Sequence, residues 1–249
     1  MNLYKKISTI LNESPKVCIT LGSGLHTFIE KLTNKKTLPY SKIDNFHKTN
    51  VKGHKGEFVF GYINNIPVLC ASGRFHYYEG FSFEEIGVFQ NLFKNFNPKL
   101  NIITNSSGCL NPKWKLGSFM VAERFLDFSF LNSNKPIYYK ANNNIITYLK
   151  NIKNINTGTY TFTLGPTYET ESEIKEIQQL GGSAVGMSTF PEFVQSKKID
   201  LNSIVISCLT NYGAGIKAEK VEHKDVIKNA GLAQKEFGDL IVKIIIENM

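Results

Sequence analysis

Val17-Cys18-Ile19-Thr20-Leu21-Gly22-Ser23-Gly24-Leu25-His26 is the stretch from which the fold is read. Five residues, all apolar but Thr20, end at two glycines, which allow a tight turn or a close backbone approach, and a helical pattern is expected to open after them. Unbroken apolar runs of this length belong to strands covered on both faces. Further strands are expected at Glu57 to Ile63, Pro67 to Ala71, Leu100 to Thr104, Ser118 to Val121, Thr159 to Leu164 and Ile204 to Leu209. Helices fall between them. Ser82-Phe83-Glu84-Glu85 is a capping box, followed by Ile86, Phe89, Phe93 and Phe96 at helical spacing until Pro98. Thr170-Glu171-Ser172-Glu173 is a second, whose helix stops at Gly181-Gly182. From about Lys224 to the C-terminus, Val226, Ala230, Ala233, Phe237, Leu240, Ile241 and Ile244 share one face. Strands alternating with helices predict an α/β protein whose function sits in loops at strand ends. The aromatic, asparagine-rich run between Asp127 and Asn144 lacks a period and is read as a mobile loop.

Bulk properties narrow the function. Of the 249 residues, 42% are hydrophobic and 20% charged, enough apolar material for a sizeable core and too much for disorder. Met1 to Pro15 lacks the apolar run of a signal peptide, and no stretch of about 18 apolar residues suggests a membrane span. A soluble, cytoplasmic protein is expected. Cys18, Cys70, Cys109 and Cys208 are far apart with no C-x-x-C pair, so they read as buried thiols rather than a zinc or redox centre. The net charge of +8 is spread as scattered lysine, without a basic run, which speaks against nucleic acid as a partner. Only two arginines occur, Arg74 and Arg124. Against that background an arginine in a polar cluster stands out, because its rigid donor fork suits phosphate in a way lysine cannot copy.

Such a cluster is Gly73-Arg74-Phe75-His76-Tyr77-Tyr78-Glu79-Gly80, directly after an apolar strand. In extended backbone Arg74, His76 and Tyr78 share a face, where the first two suit an anion and the third a sugar hydroxyl. Gly22-Ser23-Gly24 and Thr104-Asn105-Ser106-Ser107-Gly108 offer further hydroxyl and backbone donors. Gly165-Pro166-Thr167-Tyr168-Glu169-Thr170 sets a flat aromatic and a carboxylate before a capped helix, suited to a planar ring and its N–H edge. Thr210-Asn211 ends another strand with an amide that can donate and accept.

Taken with Gly53-His54-Lys55-Gly56 and Gly186-Met187-Ser188-Thr189-Phe190-Pro191-Glu192, these seven segments in this order resemble the trimeric purine nucleoside phosphorylase and methylthioadenosine phosphorylase family over nearly the whole chain. The resemblance implies a single α/β domain spanning residues 1–249, with a central mixed, partly barrel-like β-sheet flanked by helices. It implies phosphorolysis of 6-oxopurine nucleosides by a homotrimer, with inorganic phosphate as co-substrate and neither metal nor organic cofactor. Phosphate falls to Ser23, Arg74, His76, the Ser106 backbone and Ser188, with His54 closing the site. Ribose falls to Tyr78, Met187 and His223, and the purine to Tyr168, Glu169 and Asn211. Asn211, His76 and Glu169 carry the catalytic roles in this assignment. Methylthioadenosine phosphorylase, of the same fold, is the alternative; Asn211 where that enzyme usually has aspartate, together with Ser188 and His223, favours the 6-oxopurine enzyme. Two departures stand out. The segment Phe130 to Lys140 is shorter than in family members, which donate an aromatic to the neighbouring subunit there, and Tyr138 and Tyr139 are the substitutes at hand. Ser106 and Ser107 stand where many relatives carry alanine.

Overall fold

The computed structural model describes residues 3–48, 55–141, 144–152, 155–217 and 223–249, without the side chains of 144, 223–232 and 234. After a short helix α1 (Leu3–Ser8), strand β1 (Val17–Leu21) lies where the opening stretch predicts it. Its residues alternate between two apolar layers. Val17, Ile19 and Leu21 pack with Phe237, Ile241 and Ile244 of the C-terminal helix, and Cys18 packs with Phe58, Phe60, Phe89 and Phe93. An unbroken apolar run is what a strand needs when both its faces are covered.

Strands β2 (Thr33–Pro39), β3 (Glu57–Ile63) and β4 (Ile66–Ser72) form an antiparallel extension, with β4 parallel to β1. Helices α2 (Phe83–Ile86) and α3 (Val88–Lys94) follow, then β5 (Leu100–Cys109), β6 (Phe119–Asp127), β7 (Ile137–Lys140), α4 (Asn144–Leu149), β8 (Ile155–Phe162), α5 (Glu171–Gln179), β9 (Ala184–Gly186), α6 (Phe190–Lys198), β10 (Ser203–Tyr212) and α7 (His223–Asn248). The sheet order is β10-β6-β8-β9-β5-β1-β4-β3-β2, with β7 on β6, and β10 also pairs with β5. That extra pairing closes β5, β10, β6, β8 and β9 into a ring from which the other strands extend. The sheet is thus mixed and partly barrel-like, as expected. All five ring strands contribute to one apolar cluster with Phe190 and Phe193 of α6.

Several features depart from the sequence reading, among them the extension of β5 to Cys109 and of β10 to Tyr212, which puts Asn105, Ser106 and Asn211 in strands rather than loops. The helix expected after Gly24 is a six-residue 3-10 helix, His26–Lys31, without a side-chain cap at its start. The helix from Ser82 breaks at Gly87, where a Cβ would lie 2.7 Å from Cγ of Gln195, so close contact with α6 interrupts the periodic pattern. The loop expected between Asp127 and Asn144 contains β7, paired back onto β6 from Arg124↔Lys140 to Asp127↔Ile137; four residues on an edge strand carry too little pattern to read. Strand β2 is polar and almost wholly exposed, so it has no apolar signal either. Both predicted capping boxes are present, Ser82 with Glu85 and Thr170 with Glu173.

Candidate active site

Strands β1, β4, β5 and β10 run parallel, so the turns leaving them open on one edge of the sheet. Gly22 sits where a Cβ would be 2.7 Å from Cα of Asn105, which only glycine allows. Its N–H donates to Oγ1 of Thr104 at 3.1 Å, and that hydroxyl donates to the Thr20 carbonyl at 2.9 Å. Ser106 Oγ donates to the Ser23 carbonyl at 2.8 Å. These bonds pin the Ser23 turn to the end of β5 and commit the Ser106 hydroxyl proton to the Ser23 carbonyl.

Arg74 is 1% exposed. Nη1 donates to Ser188 Oγ at 3.3 Å and Thr189 Oγ1 at 3.2 Å, while Nη2 lies 3.4 Å from Oε2 of Glu192, a carboxylate with 0% exposure. Asn105 Nδ2 also donates to Thr189 Oγ1, at 3.1 Å. Thr189 is held in a left-handed backbone, φ 71°, unusual for a β-branched residue and placed where the arginine, the amide and the Ser188 hydroxyl converge. Burial pushes the Glu192 carboxyl up; the guanidinium and a Thr189 backbone donor pull it back. Replacing Glu192 with Gln is expected to cost roughly 3–5 kcal/mol, because a buried guanidinium loses its counter-charge. Thermal unfolding checks this, and an unchanged midpoint would show that the pair does not hold Arg74.

His76 is buried beside this group. Its Nδ1 lies 2.8 Å from Oε1 of Glu79, so the proton on that nitrogen points at the carboxylate and Nε2 is the end directed elsewhere. Burial lowers the His76 pKa, and Arg74 lowers it further, whereas the Glu79 hydrogen bond and charge raise it. The His76 ring stacks on Tyr78 with centroids 4.8 Å apart. Burial pushes the Tyr78 phenol up to about 12, which keeps it a neutral donor. A Cβ on Gly165 would collide with Sδ of Met187 and meet Cδ1 of Tyr78 at 3.1 Å, so Met187 and Tyr78 adjoin the turn that carries Tyr168 and Glu169.

Tyr168 is 46% exposed, an open aromatic face. Glu169 is mostly buried, and its Oε1 accepts from Thr163 Oγ1 at 2.6 Å. Burial raises its pKa, while the Thr163 bond and its own backbone N–H pull it down. Asn211, near the end of β10, is 9% exposed, and the β10–β5 register slips between Leu209 and Asn211. A slip of this kind re-aims side chains. Thr210 Oγ1 donates to Asn211 Oδ1 at 3.1 Å, which turns the amide so that Nδ2 is the donor end; Nδ2 reaches the Tyr212 carbonyl at 3.1 Å. The chain after Asn211 packs on the start of α5, where a Cβ on Gly215 would meet Cγ of Glu171 at 2.9 Å.

Ser23, Arg74, His76, Ser106 and Ser188 therefore gather through shared contacts, and Tyr78 and Met187 adjoin the Tyr168 turn. His54 lies outside the described residues. His223 opens α7, but its side chain is also outside them. Sequence reasoning gave no role to Glu79, Asn105, Thr163, Thr189, Glu192 or Thr210. Most of these lie inside the quoted segments, and their signal is burial, which the sequence does not print. Among the described residues no group of three or more His, Cys, Asp or Glu could hold a metal ion, and no helix is long and apolar enough to cross a membrane.

A family model described as the phosphorylase superfamily matches residues 16–246. The chain belongs to the phosphorylase superfamily. Within this superfamily it is 32% identical to purine nucleoside phosphorylase 1 of Geobacillus stearothermophilus, over 95% of this chain and 92% of that one. It is 31% identical to purine nucleoside phosphorylase 1 of Bacillus subtilis (strain 168), over 94% and 93%. Among solved phosphorylase structures, Schistosoma mansoni purine nucleoside phosphorylase in complex with inosine superposes with a TM-score of 0.86 at 27% identity, covering 98% of this chain and 94% of that one.

Proposed function

We propose that this chain cleaves 6-oxopurine ribonucleosides or deoxyribonucleosides, such as inosine and guanosine, with inorganic phosphate, giving the free base and (deoxy)ribose 1-phosphate. The observation that carries the reading is the buried Arg74 guanidinium, braced by Glu192 and directed at the Ser188 hydroxyl. It makes an anion site, and a base-reading amide stands apart from it near the end of β10. Relatives named purine nucleoside phosphorylase over nine-tenths of the chain support the same reading.

In this reading phosphate lies among Ser23, Arg74, His76, the Ser106 backbone and Ser188, with His54 closing over it. Ribose meets Tyr78, Met187 and His223. The purine rests on Tyr168 between Glu169 and Asn211. As phosphate attacks the anomeric carbon and the glycosidic bond breaks, positive charge develops on the sugar between two anions. Donors fixed at both ends lower the barrier without reorganising. The Asn211 Nδ2 end, oriented by Thr210, donates to the departing base. An amide rather than a carboxylate there weighs against a 6-aminopurine substrate. No metal or organic cofactor has a part; phosphate is a co-substrate. Residues 1–249 act as one domain, in the cytoplasm, with neither membrane nor nucleic acid as partner.

We further read the working form as a homotrimer in which the Phe130 to Lys140 segment, β7 included, reaches a neighbour's purine site. Phe130, Leu131 and Tyr138 are exposed, Tyr138 at 51% with its hydroxyl donating to the Leu180 carbonyl of its own chain at 3.0 Å, whereas the Tyr139 ring packs against Phe190 of its own chain at 5.2 Å. Tyr138 is thus the better placed of the two tyrosines. Tyr138→Ala is expected to raise the nucleoside KM about tenfold, within the range for losing an aromatic contact, and to leave the phosphate KM unchanged. Steady-state kinetics with each substrate varied decide it; an unchanged nucleoside KM removes this contact from the account. The reading as a whole is tested with inosine, guanosine, adenosine and methylthioadenosine, each with and without phosphate. Cleavage of the first two only when phosphate is present supports it, and preference for methylthioadenosine overturns it.

A further inference from the structure

We propose that Thr163 sets which 6-oxopurine this site prefers, by holding one of the two oxygens through which Glu169 meets the base. The inference rests on the reading that Glu169 faces the purine edge. Thr163 directly follows β8, and its backbone N–H donates to the Gly186 carbonyl at 3.1 Å, so it is anchored at the end of β9 rather than free to turn. From there its hydroxyl donates to Glu169 Oε1 at 2.6 Å, a short charge-assisted bond. Glu169's own backbone N–H also points at the carboxylate. The fork that meets a ligand is therefore partly occupied from within the protein, with Oε1 the oxygen already serving a hydroxyl.

Two bases differ at the edge this fork reads. Hypoxanthine presents one N–H, at N1, beside a C–H. Guanine presents two parallel N–H groups, at N1 and the 2-amino group, which match a carboxylate with both oxygens open. Where Thr163 holds Oε1, a single N–H is served in full, and the second N–H of guanine must share its acceptor. The chain should therefore favour inosine over guanosine. Thr163 acts as a positioning residue: it touches Glu169, and Glu169 touches the base.

The test compares kcat/KM for inosine and guanosine at saturating phosphate in wild type, Thr163→Val and Thr163→Ser. Wild type is expected to favour inosine. The valine variant keeps the shape but lacks the hydroxyl, and its inosine-to-guanosine ratio should fall about tenfold, the worth of one hydrogen bond to a charged group. The serine variant should keep the wild-type ratio. A second readout separates this role from mere packing. Glu173 on α5 and the adjacent Tyr168 are the titratable groups coupled to Glu169. With those unchanged, loss of the hydroxyl raises the Glu169 pKa and moves the acid limb of kcat/KM for inosine to higher pH in the valine variant alone. A wild type that cleaves both nucleosides equally well, or a valine variant with the wild-type ratio, overturns the inference and leaves the phosphorolysis reading standing. A wild type that cleaves neither in phosphate overturns that reading and this inference with it.

Discussion

Asn211→Asp is expected to lower kcat/KM for inosine by roughly 10²–10³, the usual cost of removing one donor from a site of developing charge, and to raise adenosine relative to inosine. In the native chain Thr210 donates to Oδ1 and one Nδ2 proton goes to the Tyr212 carbonyl, so in the proposed reading the other Nδ2 proton is the one that meets O6 and N7 of a 6-oxopurine. Aspartate keeps the shape and still accepts from Thr210, but its other oxygen meets two acceptors with negative charge. A 6-aminopurine offers an N–H at that position, which the carboxylate can take. Discrimination built on such a bond can reach about 10⁴, although water and small rearrangements reduce it. Parallel kinetics on both nucleosides with wild type and variant give the answer, and an unchanged inosine-to-adenosine ratio would show that Asn211 does not read the base.

Arg74→Lys keeps the charge and should nonetheless raise the phosphate KM at least tenfold, with a smaller change in the nucleoside KM. The guanidinium serves two directions at once: Nη1 toward the Ser188 and Thr189 hydroxyls, Nη2 toward Glu192. A planar fork can do this while presenting donors to a phosphate, whereas an ammonium on a flexible stem is drawn to one partner. In this buried place that partner is Glu192. Kinetics with phosphate varied at saturating inosine measure the effect; unchanged phosphate KM and kcat would remove Arg74 from the phosphate site.

Much of this was legible in the chain because strands buried on both faces write themselves as apolar runs. Val17–Leu21 and Glu57–Ile63 have the predicted bounds. The two capping boxes were legible for a similar reason, since Ser82 with Glu85 and Thr170 with Glu173 satisfy backbone donors within one turn of chain. Features set by distant partners were not legible. Gly87 breaks a helix whose own period continues, because α6 presses Gln195 against it. Strand β7 forms because β6 offers an edge, and its four residues alternate too briefly to announce it. The same holds at the site. Arg74 was conspicuous as one of two arginines, but nothing near it in sequence shows that Glu192 stands behind it. Likewise nothing in the sequence ties Thr163 to Glu169, six residues on across a turn, until the fold brings their side chains to 2.6 Å.

The measurement that bears most directly on the account is the identity of the sugar product, followed by phosphorus NMR while hypoxanthine release from inosine is monitored in the same sample. The account predicts that ribose 1-phosphate and hypoxanthine appear in equal amounts, and that neither forms when phosphate is withheld. Free ribose, or hypoxanthine released at the same rate without phosphate, would contradict it.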